Sequence, residues 1–290
     1  MKICSWNARG LGNPRGIRTL CDLIQREGPD VVFLQETRLS TREVESCKYK
    51  LGFQNCLAIS PADVDLLVIN YSFNHIDVVI KDPNLRMGHW FLTAIYGFPE
   101  THLRHQTWRL LRLLCRVNDD PWMVMGDFNE LMYSHEKCGG RPRPDNQLYT
   151  FREVVEDCNL SDLGFSGPKF TWSNRRHGDQ CISERIDRFL VNSVWLDSFP
   201  NARVAHGVVA YLDHLPIWVN LEGATFPRYV KKSFKFEAMW VGEKACEDII
   251  KGVCERGVGP TTMDVVSGLI NECGAQLQGW NKQCFGNVQT

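Results

Sequence analysis

Three things are scarce in this chain of 290 residues. No apolar run approaches the roughly 18–20 residues that a membrane-spanning helix needs, which argues against a membrane protein. Net charge is scarce as well: 33 Lys and Arg against 34 Asp and Glu leave a formal charge of −1. That balance excludes a global electrostatic attraction to nucleic acid, so such a partner must be met by local basic patches. Paired cysteines are also lacking, because none of the 12 is spaced Cys-x-x-Cys. Most lie in apolar patterns (Cys21, Cys115, Cys158, Cys246), which reads as thiols packed like small hydrophobes in a reducing compartment. Met1 to Trp6 runs straight into a polar loop, with no signal peptide visible. The expectation is an intracellular protein that touches no membrane.

Hydrophobic residues make up 43% of the chain and charged ones 23%, which suits a globular protein with a full core. Lys2 to Asn7 reads as a strand, and Asn13 then caps a helix with Pro14 at its first position and an apolar stripe of Ile17, Leu20, Cys21 and Ile24. Asp30 to Glu36 is a second buried strand that ends in a carboxylate. Strand patterns follow at 65–69, 76–80 and 90–96, then a helix from Thr101 through Trp108, Leu111 and Leu114. The apolar run Trp122-Met123-Val124-Met125 leads into Gly126-Asp127-Phe128-Asn129, and alternation along a strand puts Asp127 and Asn129 on the same side. A loop from Ser134 to Asn146 precedes a helix carrying Leu148, Phe151 and Val155. Beyond it lie Phe170-Thr171-Trp172-Ser173, a basic turn with Arg175 and Arg176, a strand through Asp187, and Asp213-His214.

Strands interleaved with helices and hairpins predict a layered α/β sandwich. Past Leu221 two amphipathic helical patterns appear, one through Cys246, Ile249, Ile250 and Val253, the other from Met263 to Trp280. We place a boundary near 222: a catalytic-type domain over 1–221 and a helical linker over 222–290.

Collected in order, the strand ends offer Asn7, Glu36, Tyr96, Asp127, Asn129, Asp187, Asp213 and His214. Carboxylates and amides without a Cys or His cluster form a hard-oxygen site, which selects Mg²⁺ (or Mn²⁺) over zinc. Such a metal beside an acid/base that works near neutrality is what phosphodiester hydrolysis needs.

Trp6-Asn7-x-Arg9-Gly10, Gln35-Glu36-Thr37, Tyr96-Gly97-x-Pro99, Gly126-Asp127-Phe128-Asn129, Arg185-Ile186-Asp187-Arg188 and Asp213-His214-x-Pro216 together resemble the endonuclease/exonuclease/phosphatase superfamily. Glu136-Lys137-x-Gly139-Gly140, Phe170-Thr171-Trp172-Ser173-Asn174, Phe236-Glu237-x-Met239-Trp240 and Trp280-Asn281 through Phe285-Gly286-Asn287 are similar to the apurinic-endonuclease-like domain of plant LINE-type (non-LTR) retrotransposons. The resemblance implies a DNase I-like four-layer α/β/β/α sandwich with a C-terminal helical extension. It implies a metal-dependent, DNA-nicking endonuclease whose chain was once fused to a reverse transcriptase, and which works in the nucleus when it acts on chromosomal DNA.

Residue roles follow from the same resemblance. Glu36 is implied as the principal Mg²⁺ ligand, with Asn7 and Asp213 completing or orienting the shell and Asp127 and Asn129 beside them. Asp127 handles the attacking water, Asn129 the scissile phosphate, and Tyr96 a phosphate oxygen. His214, oriented by Asp187, stabilises developing charge. Thr171, Arg175, Arg176, Arg141 and Arg143 are the expected DNA contacts.

Two departures from the family pattern stand out. Leu212 replaces the usual Ser before the Asp-His pair, and a Gly-Gly-Leu-Ala-Leu strand expected near 57–66 is missing. The alternatives are a non-catalytic remnant that at most binds nucleic acid, and a phosphatase or phosphodiesterase on another phosphate ester.

Overall fold

The computed structural model describes residues 1–9, 11, 14–40, 43, 65–116, 120–209, 212–223, 240, 243–257 and 263–285. Positions 57–64, most of the stretch where a strand is expected to be missing, lie outside the described residues. Contacts divide the chain into two compact units, Met1–Ala224 and Thr225–Thr290.

The first unit is built on two sheets. Strands β1 (Lys2–Asn7) and β2 (Val31–Gln35) run parallel, with helix α1 (Pro14–Glu27) between them in sequence. With β12 (Arg203–His206) and β13 (Ile217–Asn220) they form a four-stranded sheet of order β12-β13-β1-β2. The second sheet has six strands in the order β3-β4-β5-β6-β11-β8. These are β3 (Asp65–Tyr71), β4 (His75–Lys81), β5 (His89–Tyr96), β6 (Trp122–Asp127), β8 (Leu160–Asp162) and β11 (Asp187–Asn192). Only β5 and β6 are parallel in this sheet, and helix α2 (Arg104–Leu114) lies between them in sequence. A small third sheet joins β7 (Lys137–Cys138), β10 (Ser183–Glu184) and β9 (Trp172–Ser173).

Side-chain alternation explains why the layers hold. In β6 Met123 and Met125 join the core that unites the two sheets, where Ile3, Val31, Leu92, Phe189, Ile217 and Val219 meet. Its other face gives Trp122 and Val124 to a second core, against Trp108 and Leu111 of α2 and Phe151, Val154 and Val155 of α3 (Asp145–Asp157). A strand buried on both faces reads as an unbroken apolar run, which is the Trp122–Met125 pattern. The result is an α/β sandwich with facing sheets, one of them backed by helices.

Two margins differ from the rest. Leu67, Ile69 and Tyr71 of β3 and the following Phe73 are exposed. An apolar gap of about 40 Å³ lies nearby, lined by Val31, Phe33, Leu66, Val68, Ile76 and Leu92.

Beneath the loop that follows β6 lies a network of buried charge. Glu136 accepts from Arg185 Nη1 (3.0 Å), from Arg188 Nη1 and Nη2 (2.8 and 2.5 Å), and from the backbone amides of Met132 and Tyr133. Asp162 accepts from the same two guanidiniums. Glu130 pairs with Arg104 (2.7 Å) and Arg143 (3.2 Å), while Glu184 pairs with Arg143 and Lys137. Charges buried this deeply persist only because each is paired.

The second unit contains helices α5 (Lys244–Cys254) and α6 (Met263–Phe285); the short α4 (Ser193–Ser198) precedes them in the first unit. Trp240, Cys246 and Leu277 are its buried cluster, and the Trp240 and Trp280 rings meet edge to face at 5.8 Å. No helix among the described residues is long and apolar enough to cross a membrane, and every described cysteine is a free thiol.

Candidate active site

The parallel pairs β1–β2 and β5–β6 end at one place. Asn7 closes β1, Glu36 follows β2, Tyr96 closes β5 and Asp127 closes β6. Two glycines permit this convergence. A Cβ on Gly126 (φ +137°) would collide with the Ile95 carbonyl and the Gln35 amide, and one on Gly97 would collide with the Phe128 backbone. Gln35 Nε2 donates to Ile95 O at 3.0 Å and so stitches one sheet to the other.

Asn7 is the centre of the polar contacts. Its Nδ2 donates to Glu36 Oε1 and to Asp127 Oδ2, both at 3.0 Å. Tyr96 Oη donates to Glu36 Oε1 at 2.6 Å, and Arg9 Nε lies 3.6 Å from Glu36 Oε2. Glu36 and Asn129 both take the left-handed conformation, at φ 47° and 55°. Non-glycine residues adopt it rarely, and often where a side chain must be aimed.

Asn129 corrects the strand argument. Strand β6 stops at Asp127, so alternation does not place Asn129; the left-handed turn does. Its amide donates to Asp127 Oδ1 at 2.8 Å and its Nδ2 to Gly97 O at 2.8 Å.

Asp187 begins β11 directly opposite Asp127 in the antiparallel register. His214 bridges the two carboxylates: Nδ1 lies 3.0 Å from Asp187 Oδ2, and Nε2 lies 3.7 Å from Asp127 Oδ2. All three side chains are buried, and they form a candidate metal-holding group among the described residues. Burial and the facing charge of Asp187 push the Asp127 carboxyl up to about 7, against the opposing pull of His214, Asn7 and the Asn129 amide. Burial alone would lower His214. The charge and hydrogen bond of Asp187, then Asp127 and Asp213, outweigh it and raise the imidazole to about 9. Burial would likewise raise Glu36, but hydrogen bonds from Tyr96 and Asn7 and the charges of Arg9 and His214 hold it below the usual carboxylate range.

The donor set fits a hard cation. Asn7 Oδ1 is buried and has no hydrogen-bond partner among the described residues, and it belongs to the side chain that touches Glu36. An orphaned carbonyl oxygen beside an ionised carboxylate is an oxygen-ligand arrangement.

Residues 4–214 match the family described as Endonuclease/Exonuclease/phosphatase family. The chain belongs to this family. Its members are mostly hydrolases of phosphate esters and are generally dependent on a divalent metal. Solved structures agree at the level of fold. The endonuclease domain of TRAS1, a telomere-specific non-LTR retrotransposon, is 15% identical, with a TM-score of 0.54 over 76% of this chain and 98% of that one. The Xenopus laevis APE2 catalytic domain is 15% identical, with a TM-score of 0.55 over 76% and 91%. A conserved protein of Enterococcus faecalis V583 is 14% identical, with a TM-score of 0.51 over 76% and 98%. No curated protein matches the chain by sequence.

Not every expected site residue is placed in the cluster at the strand ends. Asn7, Glu36, Tyr96, Asp127, Asn129, Asp187 and His214 are brought together, and Asp213 precedes His214. Thr171 is placed inside the fold and not at the surface. It is fully buried, and its Oγ1 accepts the amides of Ile186 and Asp187, both at 3.1 Å. Arg143 is likewise drawn inward by Glu130, Glu184 and the Asn129 carbonyl. Arg141, Arg175 and Arg176 are exposed. Roles that residue type alone does not reveal belong to Gln35, which joins the sheets, and to Trp6, whose Nε1 donates to His214 O at 3.1 Å. Their only signal in the sequence is their place beside Asn7 and Glu36 in the family's motifs.

Proposed function

We propose that this protein is a Mg²⁺-dependent phosphodiesterase, a DNA-nicking endonuclease of retrotransposon origin. The observation that carries the reading is the unbroken polar chain Asp187–His214–Asp127–Asn7–Glu36–Tyr96, set at the shared end of two sheets. Glu36, Asn7 and Asp213 would hold the metal, with Asp127 and Asn129 beside them; when bound, Mg²⁺ (or Mn²⁺) supplies charge neutralisation at the phosphate and the leaving oxygen.

The protein's own groups do the rest. Asp127, ionised above about pH 7, aligns the attacking water and takes its proton. Asn129 offers its second amide hydrogen to a phosphate oxygen. His214, kept cationic by Asp187, stabilises negative charge as it develops. Tyr96 orients Glu36 through its hydroxyl and would donate to a phosphate oxygen. Exposed Arg141 and Arg176 would meet backbone phosphates, with Arg175 in the same basic turn as Arg176. The retrotransposon origin is supported by the motifs of the loop at 136–140, the 170–174 segment and the tail. In that setting 222–290 is a helical linker toward a reverse transcriptase, and action on chromosomal DNA places the protein in the nucleus.

A substrate panel tests this reading. With Mg²⁺ present, supercoiled plasmid should be converted to nicked circles, while an inositol polyphosphate should release no inorganic phosphate. Phosphate release with intact plasmid would move the site to another ester. No turnover by a cooperatively melting protein would make it a binding remnant.

A further inference from the structure

Three consecutive carbonyls of the segment that carries the catalytic histidine are each held by a separate donor. Leu212 O accepts from Arg175 Nη1 at 2.8 Å, Asp213 O from the Ser173 amide at 2.9 Å, and His214 O from Trp6 Nε1 at 3.1 Å. The Leu215 amide then donates to Thr171 O at 2.7 Å. The hairpin through β9 and β10 is therefore the rack on which Asp213 and His214 are mounted, and one of its pegs is an exposed arginine.

The tip of that hairpin is shaped to turn Arg175 back toward Leu212. Arg175 takes a left-handed conformation (φ 55°), and its amide donates to Ser173 Oγ at 3.2 Å. Asn174 Oδ1 accepts the amides of Arg176 (3.2 Å) and Ile182 (3.0 Å), while its Nδ2 donates to Gln180 O at 2.8 Å. These side-chain-to-backbone bonds stabilise a turn in which a non-glycine residue sits in the left-handed region. Leu212 buries its side chain and has no hydroxyl, so the backbone is the only polar part of that residue that can be anchored. Arg176, the next residue, is exposed beside it.

We infer that Arg175 is a positioning residue: its guanidinium, through the Leu212 carbonyl, sets the Asp213-His214 pair and links the basic hairpin to the catalytic histidine. Arg176 supplies phosphate affinity from the same turn, and Arg175 supplies alignment. This rests on the reading of His214 as a catalytic group, but the anchoring itself can be measured without turnover.

Three variants decide it: Arg175→Ala, Arg175→Lys and Arg176→Ala. In the protein alone, Arg175→Ala should speed amide hydrogen exchange at Leu215 and Ser173, Arg175→Lys should recover most of the protection, and Arg176→Ala should leave both amides as they are. In plasmid nicking, Arg175→Ala should lower kcat about tenfold with KM within about twofold, since losing one charged donor to a carbonyl misaligns the histidine without removing it. Arg176→Ala should instead raise KM and lower the salt slope by about one. Unchanged exchange in Arg175→Ala, with its effect confined to KM and the salt slope, would make Arg175 a phosphate contact and overturn the inference. A wild-type protein that nicks nothing would overturn the proposed function, while the exchange measurement would still decide the anchoring.

Discussion

On the proposed function, Asp127→Asn should lower kcat for DNA nicking by about 10²–10⁴-fold, the range expected when a positioned general base is removed. The substitution keeps the shape of the side chain and an oxygen for the Asn129 amide, but it turns an NH2 toward Asn7 Nδ2, so a melting curve accompanies the kinetics to separate chemistry from folding. The pH profile carries the sharper signature. In the wild type the rate should rise as Asp127, its carboxyl pushed up by burial and by Asp187, loses its proton, and should fall at higher pH as the raised His214 loses its own, giving a bell. In Asp127→Asn the acid limb disappears. The alkaline limb moves to lower pH, because one of the carboxylates that hold the imidazolium has gone. Rates measured from pH 5 to 10 check this. A variant that keeps the acid limb would mean that another group is the base.

Glu136→Ala is the largest expected loss of stability. This side chain is 4% exposed and is the common acceptor of two guanidiniums and two backbone amides, while the Arg188 side chain is wholly buried. Removing the anion leaves Arg188 and Arg185 with Asp162 as their remaining carboxylate, itself partly exposed. Breaking a buried pair by deleting one partner costs about 3–5 kcal/mol. In a unit of this size that lowers the melting temperature by on the order of 10 °C. Circular dichroism melts of wild type and variant measure it, and a shift near zero would mean that water reaches the network. The effect should extend to activity, because Arg185 and Arg188 flank Asp187 and the Glu136 loop descends from Asn129.

These two residues mark what could be read in the sequence and what could not. Asp127 was legible because a long apolar run ends on it, and the same holds for Asn7, Glu36 and Tyr96: each closes a buried strand with a polar side chain. The parallel pairing that brings the four together follows from the intervening helices α1 and α2. Glu136 was not legible as a hub. Its partners lie 49 and 52 residues away, and a Glu in a polar loop carries no sign of burial. The partners of Thr171 and Arg143 were hidden for the same reason: their types suit phosphate contacts, and the fold also engages them with the Ile186 and Asp187 amides and with buried carboxylates. Asn129 was read correctly as a neighbour of Asp127 but for the wrong reason, since the strand ends first and a left-handed turn completes the approach. The short strands β8 and β12 carry too few residues to show a period.

The most direct measurement is the rate of plasmid nicking as Mg²⁺ is titrated into metal-free protein, for the wild type and for Glu36→Gln. The wild type should be silent in EDTA and rise to a plateau with Mg²⁺, and Glu36→Gln should need far more metal or never reach that plateau. Nicking that persists in EDTA, or a Mg²⁺ dependence that Glu36→Gln leaves unchanged, would contradict a metal-dependent site built on Glu36 and Asn7.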